Sequence, residues 1–426
     1  MNFDRMREVI LDKAVRGELV SQLAEDGVVA QIGNTPKEEL FQIPKSWKWC
    51  SLNMVAQVIA GQSPKGTALT TDSNDTEFHQ GKTFFGRQYI QNSGGYTNEP
   101  TKIAPKESIL LSVRAPVGAV NLTDRKICIG RGLFAIVPND QLLVKFLYFV
   151  LLTKARELQS KSTGTTFKAV TGKVVRDLYV PVPPLKEQAR IVDKVSDALE
   201  EIDRAEKAYE ELQTLAGVLR GQILQEAIQG KLVPQLAEEG VVEQIGVAPD
   251  ERPFEIPKSW KWRALDEIFK FVDYRGKTPT KTTDGVRLIT ASNVRQGYVD
   301  HKRIEFISSE EYIDRQNRGI SKKGDILFTT EAPLGNVALA DLDVYSAGQR
   351  VITLQTDSEN KKLLMYFMLS PYFQKALKNN ATGTTAQGIK AARLKKLMLP
   401  VPPVEEQARI ASKVEELLKQ VDALSA

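Results

Sequence analysis

The chain has two cysteines and two histidines in 426 residues. Cys50 and Cys128 form no CxxC motif, and with His79 and His301 they lie in four unrelated segments. A disulfide framework is therefore not expected, nor is a structural zinc site, and a reducing cytoplasm is the expected compartment. No apolar run approaches the roughly 18 residues that a membrane span needs. The opening MNFDRMREVILDKAVRGEL is charged throughout and lacks the apolar stretch of a signal peptide. Phosphate-cradling loops of the GxxxxGK[ST] or GxGxxG kind are missing. Pro-Pro occurs only in VPPL and VPPV, not in the Asn/Asp-Pro-Pro-aromatic setting used to methylate a flipped base. Pro249-Asp250 has no Glu-x-Lys nearby, so a nuclease carboxylate cluster is unsupported. Two isolated histidines make no Ser/His or Cys/His pair. No catalytic residue, metal site or bound cofactor is expected on this chain.

What the chain does have is itself, twice. Ile10–Gly33 returns at Ile223–Gly246, 213 residues on, with 16 of 24 positions identical. IPKSWKW at Ile43–Trp49 returns at Ile256–Trp262. STGTT at Ser162–Thr166 returns as ATGTT at Ala381–Thr385, and VPVPPLKEQARIVDKV from Val180 returns as LPVPPVEEQARIASKV from Leu399. A period this long means two similar domains rather than a solenoid. A pseudo-two-fold molecule suits a two-fold partner such as duplex DNA.

Charge follows the repeat. Pro44–Pro184 carries 18 basic against 9 acidic residues, and Pro257–Pro403 carries 24 against 15, so both stretches are +9. The remaining segments, 1–43, 185–256 and 404–426, sum to −13. Basic domains favour phosphate backbones through release of condensed counterions. Acidic, Glu-rich segments suit protein docking.

Those segments read as helices. Ile191, Val195, Ala198, Ile202, Ala205, Tyr209, Leu212, Ala216, Leu219 and Ile223 recur at alternating spacings of four and three, the seam of a coiled coil. Ile410, Val414, Leu417, Val421 and Leu424 repeat its first part, and Phe3, Met6 and Ile10 its end. Helix starts are expected after Val-Pro-Pro, and left-handed caps at Gly17 and Gly230. Gly217 and Gly221 are candidate kinks. The fold expected is α+β: two similar α/β domains separated by long antiparallel coiled-coil helices, with pseudo-two-fold symmetry and a circular layout. The boundaries are 1–43, helical; 44–184, first domain; 185–256, helical spacer; 257–403, second domain; 404–426, C-terminal helix.

Within each domain the spacing predicts short strands in a mixed or antiparallel sheet and a helix, Leu142–Gln159 in one and Lys361–Lys378 in the other. Ala-Pro-Val-Gly and Ala-Pro-Leu-Gly are turn chemistry. The copies agree least in their first halves, which are rich in Gly, Thr, Ser, Asn, Gln, Lys and Arg. Such side chains read base edges or hold phosphates. Lys65, Arg87, Arg114 and Arg131 are the candidates in the first copy. Arg275, Lys277, Ser292, Asn293, Arg295 and Arg350 are those in the second. The Thr-Gly-Thr-Thr loops add phosphate candidates: Thr163, Thr165, Thr166 and Lys168, and Thr382, Thr384, Thr385 and Lys390. Those loops also suit simple turns that cap the next element.

The paired PVPPL/V-x-EQARI segments, the paired ILxxAxxGxLVxQ helix ends and the unlike domains between them resemble the specificity (S) subunit of type I restriction-modification systems. The resemblance covers nearly the whole chain. It implies two target recognition domains, each reading one half of a bipartite, asymmetric duplex DNA site. The helices would act as spacer and as docking surface for two methyltransferase (M) subunits, which carry S-adenosylmethionine. Restriction (R) subunits would join to make the ATP-dependent nuclease. The subunit itself would be non-catalytic. Many members begin near the first recognition domain, whereas here a conserved helix comes first, a circularly permuted layout. Two other readings remain: a self-contained DNA methyltransferase or nuclease, and a protein-only coiled-coil scaffold. The target bases are not legible, because base readout depends on docking geometry.

Overall fold

The computed structural model describes residues 1–33, 35–36, 40–162, 169–246, 253–274, 278–357, 359–383 and 387–425. The chain divides into two compact units, 1–208 and 209–426. Each is a domain with sheets and helices, carried on an antiparallel pair of helices, as the α+β reading expects.

In the first unit the main sheet is antiparallel, in the order Ala56–Ala60, Leu133–Pro138, Ser108–Ser112, Val120–Thr123. The same order recurs in the second unit as Lys270–Asp273, Val351–Gln355, Ile326–Thr330, Leu334–Leu339. A smaller mixed sheet stands beside each. Its parallel pairing joins Thr76–His79 to Ile127–Ile129 in one copy and Val286–Ile289 to Ser346–Ala347 in the other. The proline strands Tyr179–Val182 and Met398–Val401 pair with Lys48–Ser51 and Lys261–Ala264.

The predicted domain helices are each broken in two. Val144–Thr153 is followed by Ala155–Ser160, and Lys361–Leu369 by Pro371–Asn379. In the second copy the cause is local. Ser370 is extended and its side chain accepts the amide of Phe373, while Pro371 opens the next helix. These helices help form the domain cores, with Phe146 against Trp47 in one and Phe367 against Trp260 in the other. Burying each such side chain is worth about 1.5–3 kcal/mol.

Three long helices carry the domains: Phe3–Arg16, Leu185–Ile228 and Val404–Ser425. The central one runs as a single helix through Gly217 and Gly221. Gly17 and Gly230 do take the left-handed cap, at φ 74° and 70°. A Cβ on either would stand 2.5 Å from Cγ of Pro44 or Pro257. The cap therefore also lets the helix end lie flat on the domain entrance.

The shared Glu-Gln-Ala-Arg motif fastens helix to domain. Gln188 is buried; its Oε1 accepts the amide of Leu143 at 2.8 Å, and its Nε2 donates to the carbonyls of Gln141 and Pro183. Gln407 likewise accepts the amide of Asn360 at 2.7 Å. Glu187 accepts from Gln22 and Glu406 from Gln235, both at 2.6 Å. Arg190 grips Asp26, and Arg409 grips Glu239. At the far end of each helix pair Arg7 meets Asp203 at 2.8 Å, and its counterpart Arg220 meets Asp422 at 2.6 Å. The helices of each pair are thus antiparallel.

The seam is buried at its two ends, at Ile191 and Val195 in one unit and at Ala216 and Ile223 in the other. Ala205, Leu212 and Leu219 are exposed, which departs from a continuous buried seam. Among the described residues no helix is long and apolar enough to cross a membrane, and no three His, Cys, Asp or Glu could together hold a metal ion.

Candidate nucleic-acid interface

The two domains share one corner of backbone. In the first, Gly130-Arg131-Gly132 turns between strands. Gly130 N donates to His79 O at 2.8 Å, Leu133 N to Gly130 O at 3.0 Å, Val113 N to Gly132 O at 3.0 Å, and Val170 N to Val113 O at 3.0 Å. In the second, Gly348-Gln349-Arg350 makes the same set. Gly348 N donates to Ile289 O at 2.7 Å, Val351 N to Gly348 O at 3.1 Å, Thr330 N to Arg350 O at 3.0 Å, and Ile389 N to Thr330 O at 3.0 Å. The register equates Arg131 with Gln349, Gly132 with Arg350, Gln80 with Thr290 and Arg114 with Glu331. Arg114 bridges Ala169, and Glu331 bridges Gly388, in the same way.

In the first copy glycine is required where the strands converge. A Cβ on Gly130 would lie 2.9 Å from Gln80 Cα, and one on Gly132 2.5 Å from Gln80 O. Arg131, between the two glycines, therefore stands on a rigid base.

In the first copy the corner gathers Arg114 and Arg131, both exposed and making no ion pair among the described residues. Ser63 donates to Gln80 Oε1 at 2.7 Å, and the Arg131 amide approaches Ser63 Oγ at 3.5 Å. Lys65 is exposed two residues beyond Ser63. Arg87 is not at this corner. It pairs with Asp203 of the central helix. Thr163, Thr165, Thr166 and Lys168 lie outside the described residues.

In the second copy the corner gathers Arg350, Glu331 and Gln349. Arg350 Nε forms an ion pair with Glu331 at 2.8 Å, and Thr278 donates to Gln349 Oε1 at 2.9 Å. Thr382 is exposed and its backbone pairs with Gly388. Lys390 is exposed at the start of the helix Ala391–Lys395. Ser292 shares a 2.8 Å hydrogen bond with Thr290, and Arg295 faces Asp300 at 3.6 Å. Arg275, Lys277, Thr384 and Thr385 lie outside the described residues.

Asn293 needs correction as a base reader. It is fully buried. Its Oδ1 accepts from the amide and hydroxyl of Thr290, and its Nδ2 donates to the carbonyls of Asp300 and Arg303 at 2.9 and 2.8 Å. All its hydrogen-bonding capacity is used to close its own loop.

Sequence reasoning missed Gln80, Gln349, Ser63, Thr278 and Glu331. For Glu331 a signal existed. SVRAPVG and TTEAPLG align without a gap and exchange Arg114 for Glu331. A charge reversal at a matched position of a repeat marks a place where the copies do different work.

The strand beside the first corner is held by ions. Glu77 accepts from Arg125 at 2.7 and 2.9 Å, from the Ser93 amide at 2.9 Å and from His79 at 2.8 Å. Burial pushes the Glu77 carboxyl up, but Arg125, Ser93 and His79 outweigh it and leave the pKa at about 2. Burial drives the His79 imidazole down, against the pull of Glu77. His79 therefore stays neutral and structural.

A duplicated α+β chain, with two basic domains that share a backbone corner and differ in its side chains, defines a paired-reader architecture. Residues 44–214 and 257–425 both match the type I restriction modification DNA specificity domain, and the chain belongs to that family. A Methanocaldococcus jannaschii protein assigned as the type I restriction enzyme MjaX specificity subunit is 37% identical over 46% of this chain, and that match spans about half the relative's length, 47%. The EcoAI specificity subunit of Escherichia coli is 23% identical over 99% of this chain and 90% of its own. The MjaVIII specificity subunit of M. jannaschii is 26% identical over 91% and 90%. Among solved structures, a chain of a type I restriction-modification system studied for its assembly matches with TM-score 0.64 at 20% identity, over 90% of this chain and 93% of that one. The HsdS subunit of Thermoanaerobacter tengcongensis matches with TM-score 0.53 at 20% identity, over 91% and 93%. At that identity the likeness is one of fold.

Proposed function

We propose that this chain is the DNA-reading subunit of a type I restriction-modification complex, and that each domain reads one half of a bipartite site. The observation that carries this reading is the shared corner: one backbone frame presents Arg114 and Arg131 in one copy and Glu331, Gln349 and Arg350 in the other. A frame kept while its outward side chains change suits two readers of two sequences. The chain itself supplies no chemistry. S-adenosylmethionine and ATP act on the partner subunits, two methyltransferase and further restriction subunits, in the cytoplasm. The acidic helices dock the methyltransferase subunits and set the gap between half-sites. The 26 residues from Glu187 to Leu212 would span roughly 40 Å at about 1.5 Å each, the length of about 12 base pairs.

The test exchanges residues 44–184 for the corresponding domain of another family member, with methylated adenines then mapped in the host genome. One half of the methylated sequence is expected to change while the other half and the gap remain. Loss of both halves in a well-folded chimera would refute independent reading.

A further inference from the structure

The charge reversal between the two corners suggests a specific division of labour, one that rests on the DNA-reading function proposed above. Glu331 occupies the place of Arg114, and Arg350 occupies the place of Gly132. The second corner thus gains a cation at one position and exchanges a cation for an anion at the other. The two new side chains face each other as an ion pair, with Arg350 Nε 2.8 Å from Glu331 Oε1. Both are about half exposed, at 52% and 45% of the side chain. Among the described residues Arg350 makes no other side-chain bond, and neither terminal amino group of its fork has a partner there.

We propose that Glu331 and Arg350 form the specificity-determining pair of the second domain, in which Glu331 holds Arg350 so that its two terminal amino groups meet O6 and N7 of a guanine. Arginine recognises guanine through two parallel N–H bonds, and a guanidinium anchored at Nε presents that pair end-on. Anchoring removes rotamer freedom before binding, which favours the base-directed pose over a wandering phosphate contact. The carboxylate also repels phosphate, so the pair contributes to selection more than to general affinity. Its own position is fixed by backbone. A Cβ on Gly388 would stand 3.2 Å from Glu331 Cβ and 3.4 Å from its Oε2, so only glycine there leaves the carboxylate undisturbed. Among the described residues the first corner has no such brake: neither Arg114 nor Arg131 pairs with an acid there, and that half-site is read with more help from phosphate.

The test uses the full chain co-expressed with its methyltransferase subunits, with target sequences selected from randomised duplex. The wild type is expected to demand guanine at one position in one half-site. Arg350→Lys keeps the charge but loses the fork, and should relax that demand roughly ten- to a hundredfold. Glu331→Ala should relax it similarly. It should also tighten binding to non-target duplex and steepen the salt slope by up to about one, which a merely structural residue would not do. Demand at the other half-site stays unchanged in both variants. Unaltered guanine selection in folded Arg350→Lys and Glu331→Ala complexes would overturn the pair while leaving the DNA-reading function intact. A wild-type complex that selects no sequence would overturn the function and the pair together.

Discussion

Trp260 donates its indole N–H to Glu406 at 2.8 Å, and the same carboxylate accepts from Gln235 at 2.6 Å. Through Glu406 the domain entrance, the segment that follows the central helix and the start of the C-terminal helix are held at one buried point. Burial raises the Glu406 pKa, and the bonds from Trp260 and Gln235 offset part of that rise.

Glu406→Ala is expected to leave the buried indole N–H without an acceptor and to cost about 1–3 kcal/mol. Glu406→Gln keeps an acceptor and should cost less. The raised pKa fixes the sign with pH. This group favours the folded state most below its ordinary carboxylate range, and that advantage fades as pH rises through the raised value. Urea unfolding of both variants between pH 4 and 8 checks the order and the trend, and Glu406→Gln should flatten the trend.

Gly217 inside the central helix and Gly230 in the cap beyond its end should respond oppositely to alanine. At Gly230 the added Cβ meets both a φ of 70° and Pro257 Cγ at 2.5 Å. Gly230→Ala is therefore expected to destabilise by more than about 1 kcal/mol. At Gly217 nothing lies within 4 Å of the added Cβ, and alanine in a helix interior should stabilise by about 0.5–1 kcal/mol. Denaturation midpoints measured side by side decide it; a shift of the same sign for both would contradict the structure.

Glu77 should make the first domain acid-sensitive. Its pKa is depressed from 4.5 to about 2, so its contribution is present above pH 4.5 and is lost as pH falls through about 2. The size is at most about 3 kcal/mol, and less because solvent screens the partly exposed Arg125. Glu77→Gln is expected to lower stability at pH 6 and to narrow the gap to wild type near pH 2. Parallel pH curves for the two proteins would rule out the depressed carboxylate.

The duplication, the helix starts after Val-Pro-Pro, the glycine caps and the paired positive charge were all legible in the sequence, because each rests on local chemistry or simple periodicity. The breaks in the domain helices were only half legible. Ser370-Pro371 is a visible stop and start, whereas the break at Lys154 carries no Gly or Pro. Of the candidate readers, Arg114, Arg131 and Arg350 come together at the corners, while Arg87 turns to the helix and Asn293 turns inward.

The amino-acid sequence by itself determined that this protein is two copies of one basic domain joined by acidic helices, since repeats, caps and charge need no knowledge of what folds against what. Only the tertiary structure decided which side chains stand together. Residues as distant as Gln80 and Gly132, or Glu331 and Gly388, meet because strands far apart in the chain pair in a particular register. A residue type states what a side chain can bind, but its direction and neighbours are set by long-range packing. The same asparagine chemistry that reads a base on one surface closes a loop when the backbone turns it inward.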